Sequence, residues 1–312
     1  MDLRKKITEA MGKVSPEKSF DAKHPYHYYN YRDNLFCAMG DPARQAYAAG
    51  SGQELLPYIY KGVSCPAKMS SIASSSAMTY NLLGDGPATI LPSSALPAGT
   101  YQVQYEKQMC TLRLGGNPAN LDAFLSNEKE QTTIFCEMKL LEWLDQPGTL
   151  KPGYRTDQHY FDKDAAYPVF DGLIKKIEAE NFQHYDAWQM FKHLLAIYNY
   201  TAFSAQVAVD GFRGLSSMAG KYKDITLLNV VNEFPGNRIQ DPEIRAAYLD
   251  VLKIEQSEKE RFLAIVNTGE IVELFREQCN VEIRIQYLSA REFAACLDMT
   301  DAKKKYLKRY FE

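Results

Sequence analysis

Asn120-Leu121-Asp122-Ala123-Phe124-Leu125 leads into a polar turn, Ser126 to Gln131, and then into Thr132-Thr133-Ile134-Phe135-Cys136-Glu137-Met138-Lys139. Both flanking runs are short and rich in strand-forming residues, while Asn127-Glu128-Lys129-Glu130 is too polar to be core. The spacing predicts an antiparallel hairpin folded about Lys129, with Asp122 opposite Cys136 or Glu137. Side chains alternate across a strand, so Glu137 and Lys139 share one face and Met138 points to the other. Asp122, Glu137 and Lys139 then gather on one face of an otherwise apolar strand pair.

Like charges across a strand pair repel and destabilise the sheet, so two acids at good strand positions ask for a compensating cation. Hard oxygen ligands from Asp122 and Glu137, with the backbone carbonyl of Met138, suit Mg²⁺ with several waters retained, and Mn²⁺ is expected to substitute. Lys139 would orient or help activate a metal-bound water for in-line attack on a phosphodiester. Glu106, on the strand expected next to that of Asp122, is a candidate third carboxylate, and a solvated strand position explains it equally well. Glu54 is placed on an early helix. The competing picture is a surface hairpin whose acids and lysine form an exposed salt bridge; Phe124, Leu125, Ile134 and Phe135 speak for a buried one.

Working outward, Tyr101 to Leu114 alternates like a strand, and Ile225 to Val231 is a short apolar run suited to a sheet centre. Val281 to Tyr287 alternates again. Helical periodicity covers about 170–181, 185–203, 242–256 and 258–278. Upstream, Asp41-Pro42-Ala43 reads as a helix start whose alanine-rich continuation stops near Gly50-Ser51-Gly52. Residues 54–61 and 70–83 read as further helical pieces, the second carrying Asn81, and Pro87, Pro92 and Pro97 punctuate the junction that follows. Together these predict an α/β chain: a central mixed β-sheet, an antiparallel meander plus later strands, flanked by helices. Residues 1–312 are expected to form a single domain, mainly helical over 1–85, with the α/β core and its site in 86–300.

An aspartate at the end of one strand, then Glu-x-Lys on the next, resembles the PD-(D/E)xK nuclease superfamily. In this sequence it reads Asp122, a gap of fourteen residues, and Glu137-Met138-Lys139. More specifically, the chain is similar to a bacterial group of restriction-endonuclease-like proteins. The residues that carry this likeness are Gly52-Gln53-Glu54-Leu55, the Ser74-Ser75-Ser76-Ala77 to Asn81 segment and Tyr105-Glu106, over roughly residues 50 to 200. Leu121 departs from the pattern, which often has proline there. The resemblance implies a restriction-endonuclease-like core, a Mg²⁺-dependent endonuclease activity, DNA as partner and, because such nucleases can carry an additional acid on an early helix, Glu54 as a further candidate metal ligand.

The bulk properties neither add to this nor oppose it. The chain has 312 residues, a 46% hydrophobic and 24% charged composition and a formal net charge of −3, which neither announces nor excludes a nucleic-acid binder. Cys37, Cys65, Cys110, Cys136, Cys279 and Cys296 are scattered without metal-ligand spacing and read as reduced thiols. No leader and no membrane-spanning run is read, so the protein is expected in the cytoplasm. Leu114-Gly115-Gly116-Asn117 lacks the lysine of a phosphate loop. Gln189, Lys192 and His193 could reach over the sheet toward a phosphate, though the polar positions of an amphipathic helix explain them as well. The basic tail, Lys303-Lys304-Lys305 with Lys308 and Arg309, and the rings Tyr26, Tyr28, Tyr29 and Tyr31 read more readily as a solvated face and a packed N-terminal arm than as nucleic-acid contacts. The expected activity is metal-dependent hydrolysis of DNA; the alternative is a catalytically silent nucleic-acid- or protein-binding module on the same fold. Oligomeric state is open: a monomer would nick a duplex, and a homodimer could cut both strands.

Overall fold

The computed structural model describes residues 2–14, 20–49, 53–92, 94–114, 116–203, 218–267 and 269–312. Gly50, Ser51, Gly52 and Gly115, which figured in the sequence reading, lie outside them.

The N-terminal part comprises α1 (Leu3–Val14), α2 (Asp41–Ala49), a hairpin of β1 (Tyr58–Tyr60) and β2 (Val63–Cys65), and α3 (Ser75–Leu83). The helix expected over 54–61 is corrected: Glu54 sits in a turn and the hairpin follows. Tyr58-Ile59-Tyr60 favours extended backbone, and Lys61 and Gly62 both take positive φ, 48° and 81°, as a two-residue hairpin turn requires. The Ser74 side chain caps α3 by accepting from the Ala77 amide at 3.1 Å. Asn81, wholly enclosed, receives the Phe36 amide and donates to the Asn34 carbonyl and the Tyr310 hydroxyl, so it ties the N-terminal arm to the C-terminal helix.

The remainder is a six-stranded sheet and its helices. The strands are β3 (Ala88–Ile90), β4 (Gly99–Met109), β5 (Ala119–Asn127), β6 (Thr132–Lys139), β7 (Asp224–Val231) and β8 (Glu282–Ser289), in that spatial order. β3 to β6 form an antiparallel meander, and β6, β7 and β8 run parallel. The parallel crossovers carry α4 (Ala166–Glu180) and α5 (Ala187–Ala202), then α6 (Pro242–Val266) and α7 (Glu270–Cys279). The chain closes with α8 (Ala290–Cys296) and α9 (Asp301–Phe311). α6 runs unbroken through residues 256–258, where two helices were expected, because Glu255-Gln256-Ser257-Glu258 holds no helix breaker. β7 is buried along nearly its whole length, as a central parallel strand should be.

Two cores lie against the sheet. One packs Ala123, Leu125, Cys136 and Met138 under α1, α3 and α8; the other packs Phe124, Phe135 and Leu227 under α4, α5 and α7. Tyr28 is enclosed with the first, whereas its neighbour Tyr29 is exposed. Cys110, Cys136 and Cys296 are buried, and none of the cysteines is disulfide-bonded. Arg309 of the basic tail spends its guanidinium on the Asn34 carbonyl and side chain, and Lys308 pairs with Glu312. No helix among the described residues is long and apolar enough to cross a membrane.

Candidate active site

The β5–β6 register pairs Ala123 with Cys136 as its last rung, which puts Asp122 and Glu137 next in line. There β5 peels away, and the Asp122 carboxylate takes the place of the missing backbone acceptor: Met138 N donates to its Oδ2 at 2.6 Å. The N–H and C=O of one strand residue leave on the same edge, so the Met138 carbonyl also faces Asp122.

The opposite neighbour, β4, is distorted at the same level. Glu106 lies between the Tyr105–Ala123 and Lys107–Leu121 pairs, with φ at 50°. Tyr105 and Ala123 belong to one core, yet Met109, Ala119 and Leu121, an even number of residues away, belong to the other. The alternation of both strands therefore inverts around Glu106 and Asp122.

Glu137 is buried and fully engaged. Lys139 Nζ is 2.8 Å from its Oε1, and His193 Nε2 donates to its Oε2 at 2.9 Å. Lys139 Nζ also donates to Gln189 Oε1 at 2.6 Å. Gln189 and His193 are four residues apart on α5, hence on one helix face, and the Asp186 cap holds the start of that helix through the Gln189 amide. Lys192, between them, is half-buried and joins neither contact. Beyond Lys139, Glu142 Oε2 accepts from the amides of Leu140 and Leu141, and Asn229 Nδ2 donates to the Glu137 carbonyl. Nothing local in the sequence marks Glu142 or Asn229; chain topology alone brings them here. Glu54 approaches from the N-terminal part, with Oε1 3.7 Å from Lys68 Nζ and a buried Oε2 that has no hydrogen-bond partner.

The acids fall into two electrostatic classes. Burial alone would raise Glu137, but the Lys139 ammonium and the His193 hydrogen bond outweigh it and hold the carboxyl at about 2. Asp122 goes the other way: burial, then the charges of Glu137 and Glu106, push it well above the usual carboxylate range. Burial and the charges of Glu54 and Glu137 bring Glu106 to about 8. Burial works against the charged form of Lys139, yet Glu137, Glu142 and Asp122 hold its pKa above that of an ordinary lysine.

The donor set suits a hard divalent cation in kind: clustered carboxylate oxygens, an orphaned buried oxygen on Glu54, and two acids, Asp122 and Glu106, whose burial and neighbouring carboxylates outweigh the nearby Lys139 and Lys68 charges. Among the described residues no three Asp, Glu, His or Cys side chains converge tightly enough to hold such an ion as they stand. Glu137 is turned onto Lys139 and His193 instead.

No curated protein and no solved structure matches the chain significantly. A family model described as restriction endonuclease associating with ARP matches residues 3–230, from α1 to the end of β7. That span contains Glu54, Glu106, Asp122, Glu137, Lys139, Gln189 and His193, and covers most of the chain. By this match the protein belongs to the family of restriction endonucleases associating with ARP.

Proposed function

We propose that the chain is a divalent-cation-dependent nuclease that hydrolyses DNA phosphodiester bonds at Asp122, Glu137 and Lys139. The observation that carries this is the under-compensated pair Asp122 and Glu106, raised by burial and by neighbouring carboxylates more than Lys139 and Lys68 lower them, beside a strand end already holding the Glu137–Lys139 pair. A merely structural ion pair needs Glu137 and Lys139 and has no use for the other two acids. Asp122, Glu137 and the Met138 carbonyl would hold the ion, with Glu106 or Glu54 completing the set. When bound, such an ion supplies an activated water and neutralises charge developing on the phosphoryl oxygens.

Lys139 acts through its protons. An ammonium has three donors; two are spent on Glu137 Oε1 and Gln189 Oε1, which leaves the third for a phosphate oxygen or the attacking water. Because neighbouring carboxylates raise its pKa, Lys139 stays charged and orients rather than abstracting a proton. Gln189 and His193 set the direction of Lys139 and Glu137 respectively.

Plasmid, linear duplex and single-stranded DNA incubated with Mg²⁺ or Mn²⁺ test this directly. Wild-type protein is expected to cut, and Asp122→Ala and Lys139→Ala to abolish cutting while remaining folded. Wild-type cleavage rates in Lys139→Ala would remove its assigned role. The rival, a silent binding module, draws on the closure of Glu137 onto Lys139 and His193; calorimetry showing no carboxylate-dependent uptake of Mg²⁺ or Mn²⁺ would decide for it.

A further inference from the structure

The β1–β2 hairpin is the most apolar exposed feature of the described surface. Of the large hydrophobic side chains exposed there, Tyr29, Leu56, Ile59, Tyr60 and Val63 cluster on or beside it, the last three each more than half exposed. The register pairs Tyr60 with Val63 and Tyr58 with Cys65, and side chains directly opposite on paired strands share a face. Tyr60 and Val63 thus form the tip of one face and Tyr58 and Cys65 its stem.

That stem does not end in solvent. Tyr58 and Cys65 line a groove also lined by Lys5, Glu54, Lys68 and Glu142. Glu54 contributes to the raised pKa of Glu106, and Glu142 receives the amides just past Lys139. The apolar face therefore meets a groove whose Glu142 also lines the cavity holding Glu137 and Lys139.

Its charge identifies the occupant. No acidic residue occurs from Leu55 to Lys68, and the two charged residues there are lysines. Lys61 Nζ lies 5.4 Å from the Tyr60 ring centroid, and Lys68 Nζ lies 6.0 Å from that of Tyr58. The exposed Tyr60 ring beside Lys61, on a hairpin without acids, matches a strand whose phosphates meet lysine while its bases stack on an aromatic face, and the acids of the groove, Asp2, Glu54 and Glu142, are offset by Arg4, Lys5 and Lys68. A second copy of this chain would set lysine against lysine.

We propose that the β1–β2 hairpin is a nucleic-acid arm: Tyr60 and Val63 stack on or wedge between bases, Lys61 engages the backbone, and the groove leads the strand toward the cavity of Glu137 and Lys139. The inference rests on the DNA reading above and gives it a binding element.

The test uses the full chain in EDTA, so that binding is measured without hydrolysis. Anisotropy of labelled single-stranded and duplex oligonucleotides compares wild type with Tyr60→Ala/Val63→Ser and with Lys61→Ala; these exposed positions leave the fold intact, as unchanged thermal melting will verify. The first variant is expected to weaken binding roughly tenfold, the scale of losing one base–aromatic stack. Lys61→Ala should lower the salt dependence by about one counterion. A 2-aminopurine base in the oligonucleotide should be quenched by wild type and not by Tyr60→Ala. Unchanged affinity and quenching in the tip variants would overturn the proposal, as would a change in sedimentation from dimer to monomer, which would assign the face to self-association. Metal-dependent cutting with hairpin-independent binding would sink the arm and leave the nuclease; hairpin-dependent binding without any cutting would do the reverse.

Discussion

Replacing Glu137 by Gln keeps the shape of the side chain and removes the charge that Lys139 and His193 share. Lys139 then becomes an ammonium with 19% of its side chain exposed and no carboxylate in contact, with only Gln189 still accepting from it. Breaking a buried ion pair from one side costs about 3–5 kcal/mol, and the retained Gln189 bond and partial exposure argue for the lower end, about 3 kcal/mol. An unfolding entropy of about 2.1 cal/mol/K per residue gives roughly 0.65 kcal/mol/K for a chain of this length, so the melting temperature should fall by about 5 °C. Asp122→Asn is the control with the opposite expectation. It neutralises a carboxyl that burial and neighbouring acids already push up, while its amide oxygen still accepts from Met138 N, so the melting temperature should hold or rise. Both variants should lose cleavage. Differential scanning fluorimetry at pH 7.5 without divalent ions reads the comparison. An equal fall in both variants would mean that Asp122 is a paired, stabilising charge, and the division of the acids into two classes would be wrong.

Acid and base limbs of stability should differ in origin. Glu106 and Glu255, raised from 4.5 to about 8 and about 7 chiefly by burial, contribute stability that is complete below pH 4.5 and lost as pH rises through 7 to 8. Glu137, held at about 2, contributes stability present above 4.5 and lost as pH falls toward 2, so the melting temperature of the metal-free protein should peak near pH 5. Added Mg²⁺ should restore most at pH 8.5, and a flat profile from pH 5 to 9 would contradict these shifts. Glu106→Gly should stabilise the metal-free protein by about 1 kcal/mol, because glycine accepts a positive φ without the usual left-handed penalty, while cleavage falls. A lower melting temperature would show that the Glu106 side chain holds the strand rather than serving the site. Glu258 accepts the amides of Gln183, His184 and Tyr185, so Glu258→Ala should cost at least about 3 kcal/mol by chemical denaturation, the scale of losing several bonds to one buried charge.

What could be read without coordinates was local. The two-residue period of a strand places Glu137 and Lys139 together, and the polar turn at 127–130 nearly fixes their register against Asp122; both are properties of neighbouring residues. Gln189 and His193 were visible as an i, i+4 pair on an apolar helix, but what they touch depends on how α5 lies across β6, which no local pattern encodes. A histidine set against the apolar run Leu194-Leu195-Ala196-Ile197 is placed for burial, where it has to satisfy at least one ring nitrogen, and that is the signal that weights it toward the site. The helix expected over 54–61 overlaps only the first strand and turn of the hairpin, whose turn chemistry is carried by Lys61-Gly62 between aromatic and β-branched residues. Charged residues mid-helix likewise hide the continuity of α6, which ends at Val266 with Asn267 as its cap, before α7 starts from Gly269.

Strain and charge repulsion accumulate at one level of the sheet. Glu106 holds a left-handed backbone conformation that only glycine takes freely, the alternation of β4 and β5 inverts beside it, and β5 leaves β6 at the next residue pair. None of these serves the cores: a regular ladder would have let Glu106 and Asp122 be replaced by residues that pack. Instead the distortion brings Glu106 and Asp122 into the field of neighbouring carboxylates, which together with burial raises the cost of ionising both. Unfavourable backbone and unfavourable electrostatics at the same residues, supported by well-packed sheet on either side, are how a folded chain keeps a binding centre ready for a ligand that relieves it. The relief required here is positive charge. Lys139 supplies part of it to Glu137; on the proposed reading a divalent cation would supply the rest to Asp122 and Glu106.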